Sequence, residues 1–242
     1  NGNPVRKLKT AAKKGIKRIH WDLRYSGTAP VSFYTPDPNN PWDQLETGPL
    51  ALPGTYRVSL SKFEDGLLTE LVAPQSFSVR SLNLNTLSAP DKKAYDDFCR
   101  KVSELRRQSG FANEQKNELN NKLKYIKPAL IETPAAPAAL VQSVQKIQDR
   151  LQVLQIKLSG DGSLAKREFE TPPSINDRIG AIESGMWNTT CAPTGTYTNS
   201  FAIAEKQLKE AQAEIRSIAS DIGAIEKQLD ALKAPWTPGR GY

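Results

Sequence analysis

"FAIAEKQLKEAQAEIRSIASDIGAIEKQLDAL", residues 201–232, decides how the second half of this chain folds. Phe201, Ala204, Leu208, Ala211, Ile215, Ile218, Ile222, Ile225, Leu229 and Leu232 recur at alternating spacings of three and four. An α-helix returns to one face about every 3.6 residues, so this pattern draws a narrow apolar seam along a charged helix. The same rhythm runs upstream through Tyr95, Phe98, Val102, Leu105, Ala112, Leu119, Leu123, Ile126 and Leu130, broken only by Ser109 and Lys116. It recurs in Leu140, Val144, Ile147, Leu151, Leu154 and Leu158, and briefly in Ile175, Ile179, Ile182 and Met186.

Stop and start signals divide these seams. "SAPD" (88–91) and "SIND" (174–177) place a serine three residues before an aspartate, which satisfies free N–H groups at a helix start. "TPAAP" (133–137) and "SGDGS" (159–163) interrupt the pattern. The spacing therefore predicts helices over about 89–131, 137–159, 174–187 and 199–233, within a unit spanning 85–233 and followed by a tail, 234–242. One seam cannot be buried by its own helix, and several in one chain bury one another. The expectation is an antiparallel, up-and-down bundle of three long helices and one short one.

The first half reads as β. In "IHWDLRY" (19–25) the apolar Ile19, Trp21, Leu23 and Tyr25 alternate with His20, Asp22 and Arg24, the period of a half-buried strand. "PGTYRVSL" (53–60) alternates in the same way after a Pro-Gly turn. Shorter candidates are "PVRKL" (4–8), "PVSFY" (30–34), "LTELVA" (68–73) and "QSFSVR" (75–80), and a Pro-, Asn- and Asp-rich loop fills 35–54 with Trp42 as its anchor. The fold class is thus α+β, with an antiparallel sandwich over residues 1–84 ahead of the bundle.

A net charge of +7 is carried entirely by residues 1–30. Arg6, Lys7, Lys9, Lys13, Lys14, Lys17 and Arg18 form the candidate anion or partner surface. The plain reading of the same residues is a solvated pair of strands with surplus lysines. No zinc spacing, helix-turn-helix pattern or interleaved aromatics accompany the patch, so nucleic acid is not the expected partner.

Chemistry-bearing residues are scarce. His20 is the single histidine, and although Asp22 and Arg24 would share its strand face, no motif ties a nucleophile to them. The expected role of this trio is strand polarity. Cys99 and Cys191 are too few for a metal site and form one candidate disulfide, worth about 4 kcal/mol by loop entropy, with two buried thiols as the alternative. Acidic residues mostly sit beside Lys or Arg, as in Glu205–Lys209, in the manner of a solvated bundle surface. "NTT" (188–190) fits a glycosylation acceptor only in a eukaryotic secretory setting. No catalytic residue, cofactor or metal is expected. No apolar run reaches the roughly 20 residues needed to span a bilayer, and the polar stretch at the start is not expected to be a signal peptide.

"NGNPVRKL" (1–8), "KKGIKRIHWDLRY" (13–25) and "LPGTYRVSL" (52–60) resemble a pattern W-D-L-R…P-G-x-Y-x-V that follows the propeller of large secreted bacterial proteins. Those proteins carry VPS10/sortilin-like BNR-repeat β-propellers and are often labelled glycosyl hydrolases. "PPSINDRI" (172–179), "TCAPTGTYTNSFAIAEKQL" (190–208) and "APWTPGR" (234–240) look like their C-terminal tail. The resemblance implies an Ig-like sandwich of the FlgD type, incomplete here, followed by the bundle, and a location in the periplasm, at the cell surface or outside a bacterium. It also implies packing against a propeller of the same protein or against another envelope protein. Three functions follow: a non-catalytic scaffold, part of a carbohydrate-active hydrolase whose active site lies in the propeller, or a glycan- or anion-binding module. The last would stack sugars on Tyr34 and Trp42.

Overall fold

A computed structural model describes residues 2–240 apart from 32, 38, 44, 83–87 and 188–191. The protein is α+β. In chain order its elements are β1 (Arg24–Ser26), β2 (Thr47–Leu50), β3 (Gly54–Glu64), β4 (Leu67–Val79), α1 (Ala89–Ile131), α2 (Ala138–Ser159), α3 (Gly162–Ala165), α4 (Ile175–Trp187) and α5 (Gly195–Ala231).

The helices form three parallel rods. α1, 43 residues and about 65 Å long, runs one way. α2 turns back along its C-terminal half and α4 continues the same descent along its N-terminal half, as the bonds Ser109–Asn176 and Tyr95–Met186 show. α5 then climbs beside both, with Phe98 against Phe201 near its start and Lys122 on Glu226 near its end. α2 and α4 are thus one rod broken at 160–174, where Gly160 adopts a left-handed φ of 81° and ends α2. Because the two halves share a direction, strict up-and-down alternation gives way to up, down, down, up.

The apolar seams meet along the axis. Ala204, Leu208, Ala211, Ile215, Ile218, Ile222, Ile225 and Leu229 of α5 are buried against Leu140 to Leu158 of α2 and Ile175 to Met186 of α4. The two interruptions of the α1 seam are buried as well. Ser109 donates to Asn176 Oδ1 at 2.7 Å, and Lys116 donates to Gln155. Burial pushes the Lys116 ammonium below its usual range.

Helix ends follow the capping signals. Ser88 Oγ accepts from Asp91 N–H, and Ser174 and Asp177 exchange reciprocal bonds of 2.9 and 3.2 Å between side chain and backbone. The "APWTPGR" tail folds back beyond α5: Arg240 donates to the Ala234 and Pro235 carbonyls and pairs with Asp230 at 3.0 Å, while Trp236 Nε1 donates to the Arg240 carbonyl. None of the described helices is long and apolar enough to cross a membrane.

The β half is built of antiparallel strand pairs. β1 pairs antiparallel with β2, and β3 with β4, giving two separate two-stranded sheets among the described residues. The 19–25 alternation becomes a strand only from Arg24 onward, because Leu23 takes a left-handed φ of 57° that breaks the extended chain. Residues 4–8 and the described part of 30–34 are not strands, although Val5 O accepts the Ser26 N–H at 3.3 Å. The candidates 68–73 and 75–80 are joined in one strand, β4, across Pro74.

Candidate interaction surface

β1 and β2 are fastened to the bundle by polar contacts, among them Arg100 Nη2 of α1 donating to the Tyr25 hydroxyl at 3.4 Å. Arg24 Nη1 donates to Gly48 O at 3.3 Å and to Trp187 O at 3.1 Å, while Trp187 Nε1 donates to Thr47 O at 3.0 Å. Arg24 therefore neutralises a carbonyl at the C-terminal end of α4, where a cation is electrostatically favoured. Asp22 turns elsewhere, accepting from Arg24 N–H and pairing with Arg6 at 3.6 Å, and His20 is exposed. His20, Asp22 and Arg24 do not converge, so the trio is not assembled as a reactive group.

Other sequence candidates also separate. Arg6 donates to Tyr25 O at 2.8 Å, whereas Lys7, Lys9, Lys13, Lys14, Lys17 and Arg18 lie exposed in irregular chain without an ion pair among the described residues. Cys99 is buried, which pushes its thiol up to about 11, while Cys191, and with it the pairing, lies outside the described residues, as does "NTT" at 188–190. A shallow groove of about 300 Å³ runs between α2 and α5 past Asp149, Glu210 and Glu214. Its Arg150 is committed to Glu214 at 2.7 Å and Asp221 at 2.5 Å, so two of the nearby carboxylates serve an interhelix ion network. Among the described residues no His, Cys, Asp and Glu group has metal-site geometry.

A long exposed surface is the β3–β4 hairpin, about 36 Å long at the usual rise of an eleven-residue strand. Asp65 and Gly66 both have positive φ, 50° and 80°, which is the two-residue turn that matches strand twist. The sequence contains that Asp-Gly signal between Glu64 and Leu67, and reading it would have revealed the hairpin. Register runs from Gly54↔Val79 to Val58↔Gln75, then shifts to Leu60↔Val72 and again to Ser61↔Glu70. Two extra residues in β4 form bulges, and Pro74, which has no N–H for a ladder, falls within the first.

Alternation assigns the two faces. One carries Tyr56, Val58 and Leu60 opposite Phe77, Gln75 and Val72, and ends in a Lys62–Glu64 pair of 2.6 Å with Leu67 opposite Glu64. The opposite face is mostly Thr, Ser and Arg until Phe63 and Leu68 at the tip. Only the base is covered. Trp21 packs edge-on at 5.3 Å from Tyr56 and 6.1 Å from Phe77, and burial there, with the neighbouring Tyr25, pushes the Tyr56 hydroxyl up to about 12. Beyond it Val58, Leu60, Phe63, Leu67, Leu68, Leu71 and Val72 are exposed, Phe63 by 74%. Neither β3 nor β4 has another strand beside it among the described residues, so both backbone edges are open. An apolar face and an open edge together form the physical signature of a strand-pairing or sheet-packing surface. The chain matches no protein-family model, and neither the curated proteins nor the solved structures contain a match.

Proposed function

We propose that this chain is a non-catalytic accessory region of a secreted or cell-surface bacterial protein, and that β3–β4 is its docking element. In this reading the hairpin is part of an Ig-like, FlgD-type sandwich. Its apolar face and open edges are covered by strands of the same polypeptide, which carries a VPS10/sortilin-like BNR-repeat propeller. The helical bundle serves as the rigid rod that holds the hairpin in place.

The observation that carries the proposal is the uncovered apolar face of β3–β4. An isolated two-stranded hairpin is marginal in water. Fully burying each Val, Leu or Phe adds about 1.5–3 kcal/mol, so covering this face converts a marginal element into a strong joint. The W-D-L-R and A-P-W-T-P-G-R resemblance supplies the identity of the covering partner. It also supports a periplasmic or cell-surface setting.

Photo-crosslinking from position 60 in the native cell tests the assignment. With a benzoylphenylalanine in place of Leu60, the expected adduct joins the hairpin to a β-rich peptide of the same polypeptide. The same probe in place of exposed Lys206 on α5 should not give it. An adduct with an unrelated protein, or none at position 60, would overturn the intramolecular assignment.

A further inference from the structure

We propose a second binding site on a different surface: Phe33 and Trp42, on either side of the Tyr34–Asp43 contact, are a platform for a neutral glycan, with their rings stacking on sugar faces. This inference does not rest on the docking role of β3–β4.

Three aromatic residues are concentrated here and left in solvent. Phe33 is 101% exposed, Trp42 91% and Tyr34 57%. Single exposed apolar residues are ordinary, but three rings within ten positions of one loop are not. They are also held on a defined frame. Tyr34 donates its hydroxyl to the Asp43 carboxylate, which clasps the two arms of the loop together and holds that carboxyl below its usual range. Phe33 and Trp42 are the immediate chain neighbours of this clasp.

Between the arms, the Asp37 N–H donates to Asp43 at 2.9 Å, Asn39 N–H to Asp37 at 2.9 Å and Trp42 N–H to Asn40 at 3.1 Å. The N–H groups of Asn40 and Asp43 donate to the carbonyls of Asp37 and Asn40, both at 3.0 Å. Pro36 and Pro41 restrict the chain further. Upstream of the loop, Pro30 lies against α1, so close to Gly110 that an added Cβ would sit 3.0 Å from its ring.

This arrangement selects the class of ligand. With those five N–H groups committed inside the loop, little donor backbone is left for an extended peptide to pair with. Exposed along the same loop are the rings and the polar side chains of Asp37, Asn39 and Asn40. Flat apolar faces next to hydrogen-bond acceptors complement a pyranose, which has C–H faces and a hydroxyl rim. The acidic side chains also disfavour a polyanion. A standard protein interface needs about 800 Å² on each side, more than three rings of about 150–250 Å² supply, whereas one or two sugar units fit. A pre-set loop loses little conformational entropy on binding, so a few stacking contacts suffice for weak, specific capture.

The test is native affinity electrophoresis of the full chain in gels cast with barley β-glucan, xylan, galactomannan or dextran. At least one polysaccharide should retard the protein. Trp42→Ala should weaken that retardation about tenfold and Phe33→Ala in the same direction, as expected for aromatic anchors. Tyr125→Ala, which removes an exposed ring on α1, should leave it unchanged. Circular dichroism should show the helices intact in all three variants, since none of the three side chains is buried. Retardation by none of the four polysaccharides, or retardation that survives Trp42→Ala, would overturn the proposal. Salt-sensitive retention on heparin that is indifferent to Trp42→Ala would likewise overturn it and assign binding to the basic residues 6–18.

Discussion

Ile218→Ala is expected to lower the free energy of unfolding by about 3 kcal/mol, the middle of the range for truncating a buried aliphatic side chain. Ile218 is 0% exposed and lies at the centre of the α5 seam, where the rod formed by α2 and α4 and the long α1 both approach. Its removal leaves a cavity that three rigid rods cannot close. In a protein of this size the same loss lowers Tm by roughly 6–12 °C. Urea titration read by circular dichroism at 222 nm checks the value. A loss below about 1 kcal/mol would mean that the seam is loosely packed. The comparison substitution, Ile203→Ala on the outer face of the same helix, is 42% exposed in the parent and should cost much less.

Glu183 gives the second large effect, and its sign depends on pH. Its side chain, only 17% exposed on α4, stands 3.7 Å from Arg106 on α1 and near Glu46 just ahead of β2. Burial outweighs Arg106, and with Glu46 adding repulsion it pushes the carboxyl up from 4.5 to about 7. The unfolded chain therefore releases this proton at lower pH than the folded one. The group's contribution to stability is intact below about pH 4.5, falls as pH rises toward 7, and stays low above that. Glu183→Gln removes the ionisation while keeping a polar side chain. It should match the parent at pH 4 and be more stable by ~1–3 kcal/mol at pH 8, following the pKa-to-energy conversion. Urea midpoints across pH 4–8 decide it. A parent whose stability shows no Glu183-dependent fall between pH 5 and 7 would show that Arg106 neutralises the carboxylate fully.

The two halves of the molecule were unequally legible for one physical reason. A helix makes its hydrogen bonds locally, so three-four spacing alone identifies the face that must be covered. Ile215, Ile218, Ile222, Ile225 and Leu229 could be read as one seam without knowing any partner. Even the interruptions carried information, since Ser109 and Lys116 sit on the seam and are buried with the polar partners Asn176 and Gln155.

A strand takes its hydrogen bonds from distant chain, which alternation does not specify. Trp21 alternates correctly with Ile19 and Leu23, yet it leaves the strand to cover Tyr56 and Phe77. Pro74 reads as a break between two short strands, but a bulge carries β4 past it. Candidate sites followed the same rule. Trp42, assigned from sequence as the anchor of its loop, is instead held out in solvent. His20, Asp22 and Arg24, adjacent on a hypothetical strand face, diverge once Leu23 turns the chain. Arg24 was visible as a charge, but its role in joining Gly48 to Trp187 depends on a contact 163 positions away.

The most direct test of the docking role is amide hydrogen exchange of β3–β4, measured on the isolated chain and on the protein purified from its native source. Amides of Leu60–Phe63 and Leu67–Val72 should exchange quickly in the isolated chain while the α5 seam is protected. In the native-source protein the same strand amides should be slowed by about a hundredfold or more, the consequence of covering a marginal hairpin. Equal, rapid exchange of the hairpin in both preparations would contradict the account, because it would show that nothing covers this surface where the protein works.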